Sequence, residues 1–170
     1  GVPALVFMAR RWGVEPFGVE INQERAAVVR EDVGQLCAEM ELTAKTRVIC
    51  DDYRNLRATD QAFGGIYNNP PYALAGEGWD GRLEYQWLKY TRRYLQTDGI
   101  WVWLVPQHML KHKKSVRYLA SWFRDVRAYR FPDGAYDRFK QVVVFGVRNE
   151  KAAEPDYQTM KQLQAWAEMG

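Results

Sequence analysis

Residues 62–72 read Ala62-Phe63-Gly64-Gly65-Ile66-Tyr67-Asn68-Asn69-Pro70-Pro71-Tyr72. The apolar run has the length and composition of a buried strand, and it ends in a turn that two prolines make rigid. Each proline fixes its own φ and pushes the residue before it toward extended geometry. The carbonyls around Asn69 and Pro70 are therefore held still, and neither proline offers an N–H. The turn presents an amide side chain, outward carbonyls and an aromatic ring. Those groups suit a planar partner that carries an NH₂.

Working outward, strand-like and helix-like segments alternate. Residues 3–12 predict a helix, with Pro3 in its first turn, Arg10 and Arg11 in its last and Gly13 as its stop. A strand follows over 14–21. Asn22 then caps a helix reaching residue 42, with Ala26, Val29, Val33, Leu36 or Cys37, and Met40 on one face. Residues 46–50 and 63–68 read as strands, and 73–81 as a glycine-rich loop carrying Trp79. Leu83, Trp87, Tyr90 or Thr91, and Tyr94 or Leu95 recur at helical spacing. Asp98-Gly99 predicts a turn into a strand over 100–105 that is apolar on both faces and ends at Pro106. A basic helical segment spans 107–123. Residues 126–131 and 139–147 predict two antiparallel strands joined around Pro132-Asp133-Gly134, and 154–169 a weakly helical tail. The whole predicts a doubly wound α/β sheet, mostly parallel with an antiparallel edge strand and flanked by helices. Residues 1–150 form one expected domain, and 151–170 a helical tail.

Composition bounds the class of protein. The 170 residues are 47% hydrophobic and 26% charged, which is globular rather than disordered. A net charge of +3 permits a nucleic-acid partner without requiring one. Cys37 and Cys50 each sit in an apolar run and read as reduced core residues of a cytoplasmic protein. No apolar stretch approaches the ~20 residues of a membrane span, and residues 2–8 are too short for a signal peptide.

Two acidic positions stand at expected strand ends. Glu20, in Phe17-Gly18-Val19-Glu20-Ile21-Asn22, offers a carboxylate able to accept from both hydroxyls of a ribose. A solvated strand-end glutamate has the same sequence. Asp51-Asp52-Tyr53 follows the strand ending at Cys50, where ligands gather at the carboxyl ends of parallel strands. An aspartate pair also occurs in turns for purely local reasons.

Asn69-Pro70-Pro71-Tyr72 after a hydrophobic strand resembles the catalytic motif of class I S-adenosylmethionine-dependent amino methyltransferases, especially those acting on adenine N6 of DNA. The resemblance implies that Asn69 and the Pro70 carbonyl accept from the target amine, with Pro71 completing the turn and Tyr72 stacking on the base. It implies S-adenosylmethionine as cofactor, with Glu20 on the ribose beside Ile21, Asp52 and Tyr53 at the adenine, and Asp51 capping the turn. It further implies a nucleic-acid partner, DNA before RNA, and an aromatic against the base at Phe139 with Lys140 beside it. Trp79 is a second candidate to stack on an extruded base. In that family a first strand and a glycine loop precede the opening helix. Gly1 matches the last glycine of that loop, so a fragment, or a partner chain or oligomer completing the sheet, is the expectation.

The same turn also suits an adenine in RNA or a glutamine amide of a protein, and a non-catalytic binding remnant of the fold stays open. His108 and His112 are four apart on a helix, but no third ligand accompanies them, so no metal site is expected. The basic run Lys111, Lys113, Lys114 and Arg117, with Lys89, Arg92 and Arg93, reads equally as a phosphate track or as solvated helix faces.

Overall fold

The computed structural model describes residues 2–41, 48–74 and 81–168. They form two compact units that divide between Arg57 and Ala58. The first contains α1 (Val2–Trp12), β1 (Gly18–Glu20), α2 (Gln23–Glu39), β2 (Val48–Cys50) and a 3-10 turn (Tyr53–Asn55). Gly13 takes φ +63° and ends α1 as expected. Asn22 caps α2 by accepting from the Arg25 N–H. Ala26, Val29, Val33, Leu36 and Cys37 of α2 are buried, and Val29, Val33 and Cys37 cluster with Val48, with Leu5 and Val6 packed against them. β1 and β2 pair in parallel, Gly18 opposite Val48 and Glu20 opposite Cys50.

The strand expected over 14–21 is only three residues long. Val14 donates its N–H back to the Ala9 carbonyl at the end of α1, and Pro16 has no N–H for a ladder. The expected beginning of the next strand, at residues 46 and 47, lies outside the described residues.

The second unit contains β3 (Phe63–Asn68), α3 (Leu83–Arg92), β4 (Leu95–Pro106), α4 (Lys113–Trp122), β5 (Phe123–Arg130), α5 (Asp133–Phe139), β6 (Gln141–Arg148) and α6 (Tyr157–Trp166). Its sheet has the order β3-β4-β6-β5, with β3 and β4 parallel and β6 antiparallel to both of its neighbours. Within this sheet β6 alone runs against the other three. The α/β architecture with parallel strands and one reversed strand is thus the expected one. The reversed strand sits second from the edge, with β5 outside it. Trp101 to Val105 are buried on both faces, as their unbroken apolarity predicts. Leu88, Met109, Leu110, Val116, Leu119, Val142 and Val144 complete the core around them.

Four expectations are corrected. Asp98-Gly99 is a bulge inside β4 and not a turn before it: the register jumps from Phe63–Leu95 to Gly65–Ile100, and Asp98 has φ +63°. A Cβ on Gly99 would meet Leu95 Cδ1 at 2.6 Å and the Gln96 carbonyl at 2.9 Å, so only glycine fits there. The buried residues of α3 are Glu84, Leu88 and Thr91: Thr91 is as expected, while Glu84 and Leu88 are buried where Leu83 and Trp87 were expected. The basic segment breaks into a 3-10 turn (Gln107–Lys111) and α4, with His112 as the cap between them. The expected hairpin connection around Pro132-Asp133-Gly134 is α5, held by buried Tyr136 and closed by Lys140 at φ +48°.

The tail supplies part of the core. Asp156 caps α6 through the Thr159 N–H, and Leu163 is fully buried, with Met160 and Trp166 packed against the same cluster. Among the described residues no helix is long and apolar enough to cross a membrane. Leu163→Ala will lower the unfolding free energy by about 2–5 kcal/mol in chemical denaturation, the cost of a fully buried leucine cavity. A loss below about 0.5 kcal/mol would show that α6 is not part of the folded core.

Candidate active site

β3 delivers its last residue, Asn68, into the protein, where its amide donates to Thr91 Oγ1 at 3.2 Å. The next residue, Asn69, faces outward, Pro70 is buried, and Pro71 and Tyr72 are exposed. The Tyr72 hydroxyl donates to Asn69 Oδ1 at 2.9 Å, with the Leu104 carbonyl farther off at 3.4 Å. Gln141 Nε2 donates in turn to the Tyr72 hydroxyl oxygen at 3.0 Å. Gln141 opens β6 and pairs with Pro106 at the end of β4. The chain Gln141 to Tyr72 to Asn69 therefore ties the turn to the two neighbouring strands. It fixes which way the Asn69 amide faces and leaves the second lone pair of Oδ1 able to accept.

Burial, followed by the nearby Tyr67, pushes the Tyr72 hydroxyl up to about 12, while the Gln141 hydrogen bond pulls it the other way. At neutral pH the hydroxyl is a settled donor.

Leu74 bridges Arg82, and Leu83 donates its N–H to the Ala73 carbonyl at 3.0 Å. Arg82 grips the fully buried Glu84 bidentately, Nη2 to Oε1 at 2.5 Å and Nε to Oε2 at 3.2 Å. His108 is held below its ordinary pKa by burial and by Arg82. Among the described residues no three acids, histidines or cysteines gather as metal ligands.

Phe139 is exposed at the end of α5, two residues before Gln141 in sequence. The Lys140 ammonium turns instead to Asp137 at 3.4 Å and to the Tyr136 ring. Trp79 and Gly1 lie outside the described residues. Gln141, Arg82 and Glu84 were missed in the sequence. The only signal for Gln141 is an uncharged polar residue directly ahead of Val142-Val143-Val144-Phe145.

In the first unit, Glu20 and Ile21 and the pair Asp52 and Tyr53 stand at the carboxyl ends of two adjacent parallel strands. Glu20 Oε1 accepts from the Asn22 N–H and from Arg25, both at 2.8 Å, and the Arg25 bond holds its carboxyl below the usual range. Both of these bonds go to Oε1, and a second carboxylate oxygen able to accept from a hydroxyl fits a ribose. Asp52, not Asp51, caps the 3-10 turn and is gripped by Arg54, which lowers its pKa. Asp51 Oδ1 accepts from the Asp52 N–H and from Asn55, which leaves Oδ2 of Asp51 as the second acceptor at this edge.

The raised Tyr72 pKa has a signed consequence. An unfolded phenol ionises near 10, so between about pH 10 and 12 the unfolded chain loses a proton that the folded chain keeps. This contribution to stability is lost as pH rises through that window. In an ultraviolet titration, the phenol missing from Tyr72→Phe will be one that ionises near 12, and Gln141→Leu will move it higher. Ionisation of that phenol at or below 10 would contradict the partly buried, hydrogen-bonded tyrosine.

The fold has known counterparts. The chain is 9% identical to a protein of Listeria monocytogenes assigned to the class I S-adenosylmethionine-dependent methyltransferases, with a TM-score of 0.60 over 96% of this chain and 59% of that one. It thus spans about three fifths of that protein's length. The tRNA (m1A58) methyltransferase TrmI of Aquifex aeolicus is 11% identical, with a TM-score of 0.45 over 78% of this chain and 53% of that one. No curated protein matches the sequence. The fold is that of the class I methyltransferases. Residues 18–169 match one family model over most of the chain, and the chain belongs to the uncharacterised methyltransferase family DUF6094.

Proposed function

We propose that this protein methylates an exocyclic amino nitrogen, with N6 of adenine in DNA as its substrate. The observation that carries the reading is the Asn69–Tyr72 turn, whose amide oxygen is oriented by the Tyr72 hydroxyl. S-adenosylmethionine, when bound, supplies an electrophilic methyl group on a sulfonium. Glu20, through Oε2, and the Asp51–Asp52 pair beside Tyr53 are the residues that would hold it, as acceptors for its ribose hydroxyls and adenine amine.

The acceptor nitrogen is a poor nucleophile because its lone pair is delocalised into the ring. Asn69 Oδ1 and the Pro70 carbonyl accept its two N–H bonds, which favours a pyramidal nitrogen and stabilises the positive charge that grows there. Acceptors fixed in advance by prolines and by a hydroxyl tether cost no reorganisation as that charge develops. The Tyr72 ring stacks on the base, and holding the nitrogen in line with the methyl group is the proximity contribution. The proton shed after transfer is acidic and passes to solvent, so no strong base is needed. An adenine taken from a duplex costs a few kcal/mol to unstack, and stacking on Tyr72 offsets part of it.

The test is transfer of radiolabelled methyl to DNA, with hypoxanthine replacing adenine as the control that lacks the amine. Asn69→Ala will lower turnover by about 100-fold or more with an unchanged circular dichroism spectrum. Tyr72→Phe keeps the ring and loses the tether, for a fall of about tenfold. Undiminished turnover in Asn69→Ala would overturn the role given to the turn. Label appearing in RNA or on a protein glutamine, and not in DNA, would reassign the substrate.

A further inference from the structure

Gln141 reaches the Tyr72 hydroxyl from the first residue of β6, so its aim depends on how that strand end is held. Pro106, which pairs with Gln141 across β4 and β6, brings no N–H to this junction. The ladder closes one residue further on, where the Gln107 N–H donates to the Lys140 carbonyl at 2.8 Å. Lys140 itself lies in the left-handed region, with φ +48° and ψ 43°. A residue with a Cβ keeps that conformation only where its surroundings hold it. Here the Lys140 N–H donates to the Tyr136 carbonyl at 2.7 Å, and the Lys140 ammonium lies 4.6 Å from the centre of the Tyr136 ring. Tyr136 thus anchors the turn that hands the chain from α5 to β6.

Tyr136 is anchored in its turn by Gln107. It is only 2% exposed, and its hydroxyl donates to Gln107 Oε1. Gln107 Nε2 donates to the Trp166 carbonyl at 2.9 Å. That carbonyl belongs to the last residue of α6, where helix carbonyls lack intrahelical partners. Position 107 therefore needs an acceptor toward α5 and a donor toward α6, and a carboxamide supplies both. One residue gathers three segments: α6 through its amide nitrogen, α5 through its amide oxygen and β6 through its backbone N–H.

We propose that Gln107 is a positioning residue for the Asn69–Tyr72 turn, acting through Tyr136, Lys140 and Gln141 in that order. It fixes the start of β6, and so the reach of the Gln141 amide to the Tyr72 hydroxyl at 3.0 Å. That hydroxyl in turn aims Asn69 Oδ1 from 2.9 Å. The consequence for turnover rests on the methyl-transfer reading above, whereas the consequence for the Tyr72 hydroxyl rests on geometry alone.

Two variants test the relay. Gln107→Met keeps the length of the side chain and loses both of these amide bonds, while Tyr136→Phe keeps the buried ring and loses the hydroxyl. The first readout is ultraviolet titration of the Tyr72 phenol, taken as the difference between each variant and the same variant with Tyr72→Phe added. Both variants will move that ionisation upward, as Gln141→Leu does, because each weakens the Gln141 bond that holds it down. Neither will move it further once Gln141→Leu is present. Leu119→Ala, which weakens the same core away from the relay, will leave it in place. The second readout is methyl transfer to DNA. Gln107→Met will lower kcat by about threefold to tenfold, with KM for the methyl donor unchanged, and will have no effect in a Tyr72→Phe background. Should Gln107→Met unfold, Tyr136→Phe supplies both readouts. An unmoved phenol in both variants overturns the relay, whatever the turnover. An equal loss of turnover with and without the Tyr72 hydroxyl overturns it as well, and leaves Gln107 a role in stability alone. A wild type that transfers no methyl to DNA removes the substrate reading, and the phenol titration then decides the relay by itself.

Discussion

The second unit depends on burying β4 from Trp101 to Val105 on both faces. A strand of that kind needs hydrogen-bonded neighbours on both edges and helices above and below it. β3 supplies one edge and β6 the other, while Leu88 of α3, Val116 and Leu119 of α4 and Leu163 of α6 supply cover. The indole nitrogens of Trp101 and Trp103 are buried without acceptors, at a cost of ~1–3 kcal/mol each. Burying an indole's roughly 200 Å² at ~25 cal/mol/Å² returns about 5 kcal/mol, which outweighs that cost. The same pairing has a functional result. By holding β3 and β6 on either side of β4, it brings the Asn69–Tyr72 turn within one hydrogen bond of Gln141, 69 residues further along the chain.

Among the described residues of this unit, the two buried charges, Glu84 and Arg148, are handled in opposite ways. Glu84 is fully buried and fully answered, because Arg82 reaches it with two nitrogens from the strand-like return after the turn. Removing either partner would strand the other, so the pair pins the chain as it re-enters α3. Arg148 is nearly as buried and meets only a backbone carbonyl. A carbonyl is a partial answer to a full charge, and Arg92 adds repulsion. The asymmetry separates a charge paired with an opposite charge from one that meets only the backbone.

Much of this was legible locally. The bounds of β3, the Asn22 cap, the Gly13 stop and the doubly buried strand all follow from periodicity and from residues whose backbone preferences are strong. The misses share one physical cause, which is that long-range contacts overrode local signals. Pro132-Asp133-Gly134 suits a turn and a helix start equally, and buried Tyr136 decides between them. Asp98-Gly99 carries turn chemistry but spends it on a bulge, because β3 pairs on both sides of it. Glu84 fell outside the expected stripe because a charge reads as exposed until its partner is known. For the site, Asn69, Pro70 and Tyr72 could be read from the motif. Gln141 could not, since its partner Tyr72 lies 69 residues earlier in the chain, in the turn after β3.

The Tyr72 side chain carries two demands that a simple stacking residue would not. Its ring is left partly exposed beside the amide, while its hydroxyl is held between Gln141 and Asn69. On the proposed chemistry the two demands support each other. A ring tethered by its hydroxyl offers a fixed plane for the base, and the tether itself aims Oδ1 at the amine on that base. Because burial keeps the phenol protonated well above neutrality, the direction of the hydrogen bond is constant over any pH at which the protein works. The geometry is then independent of titration, in keeping with a reaction that needs aimed neutral acceptors and no base. The prolines restrict the backbone carbonyl, and the hydroxyl restricts the side-chain carbonyl. Together they fix both acceptors before any substrate arrives.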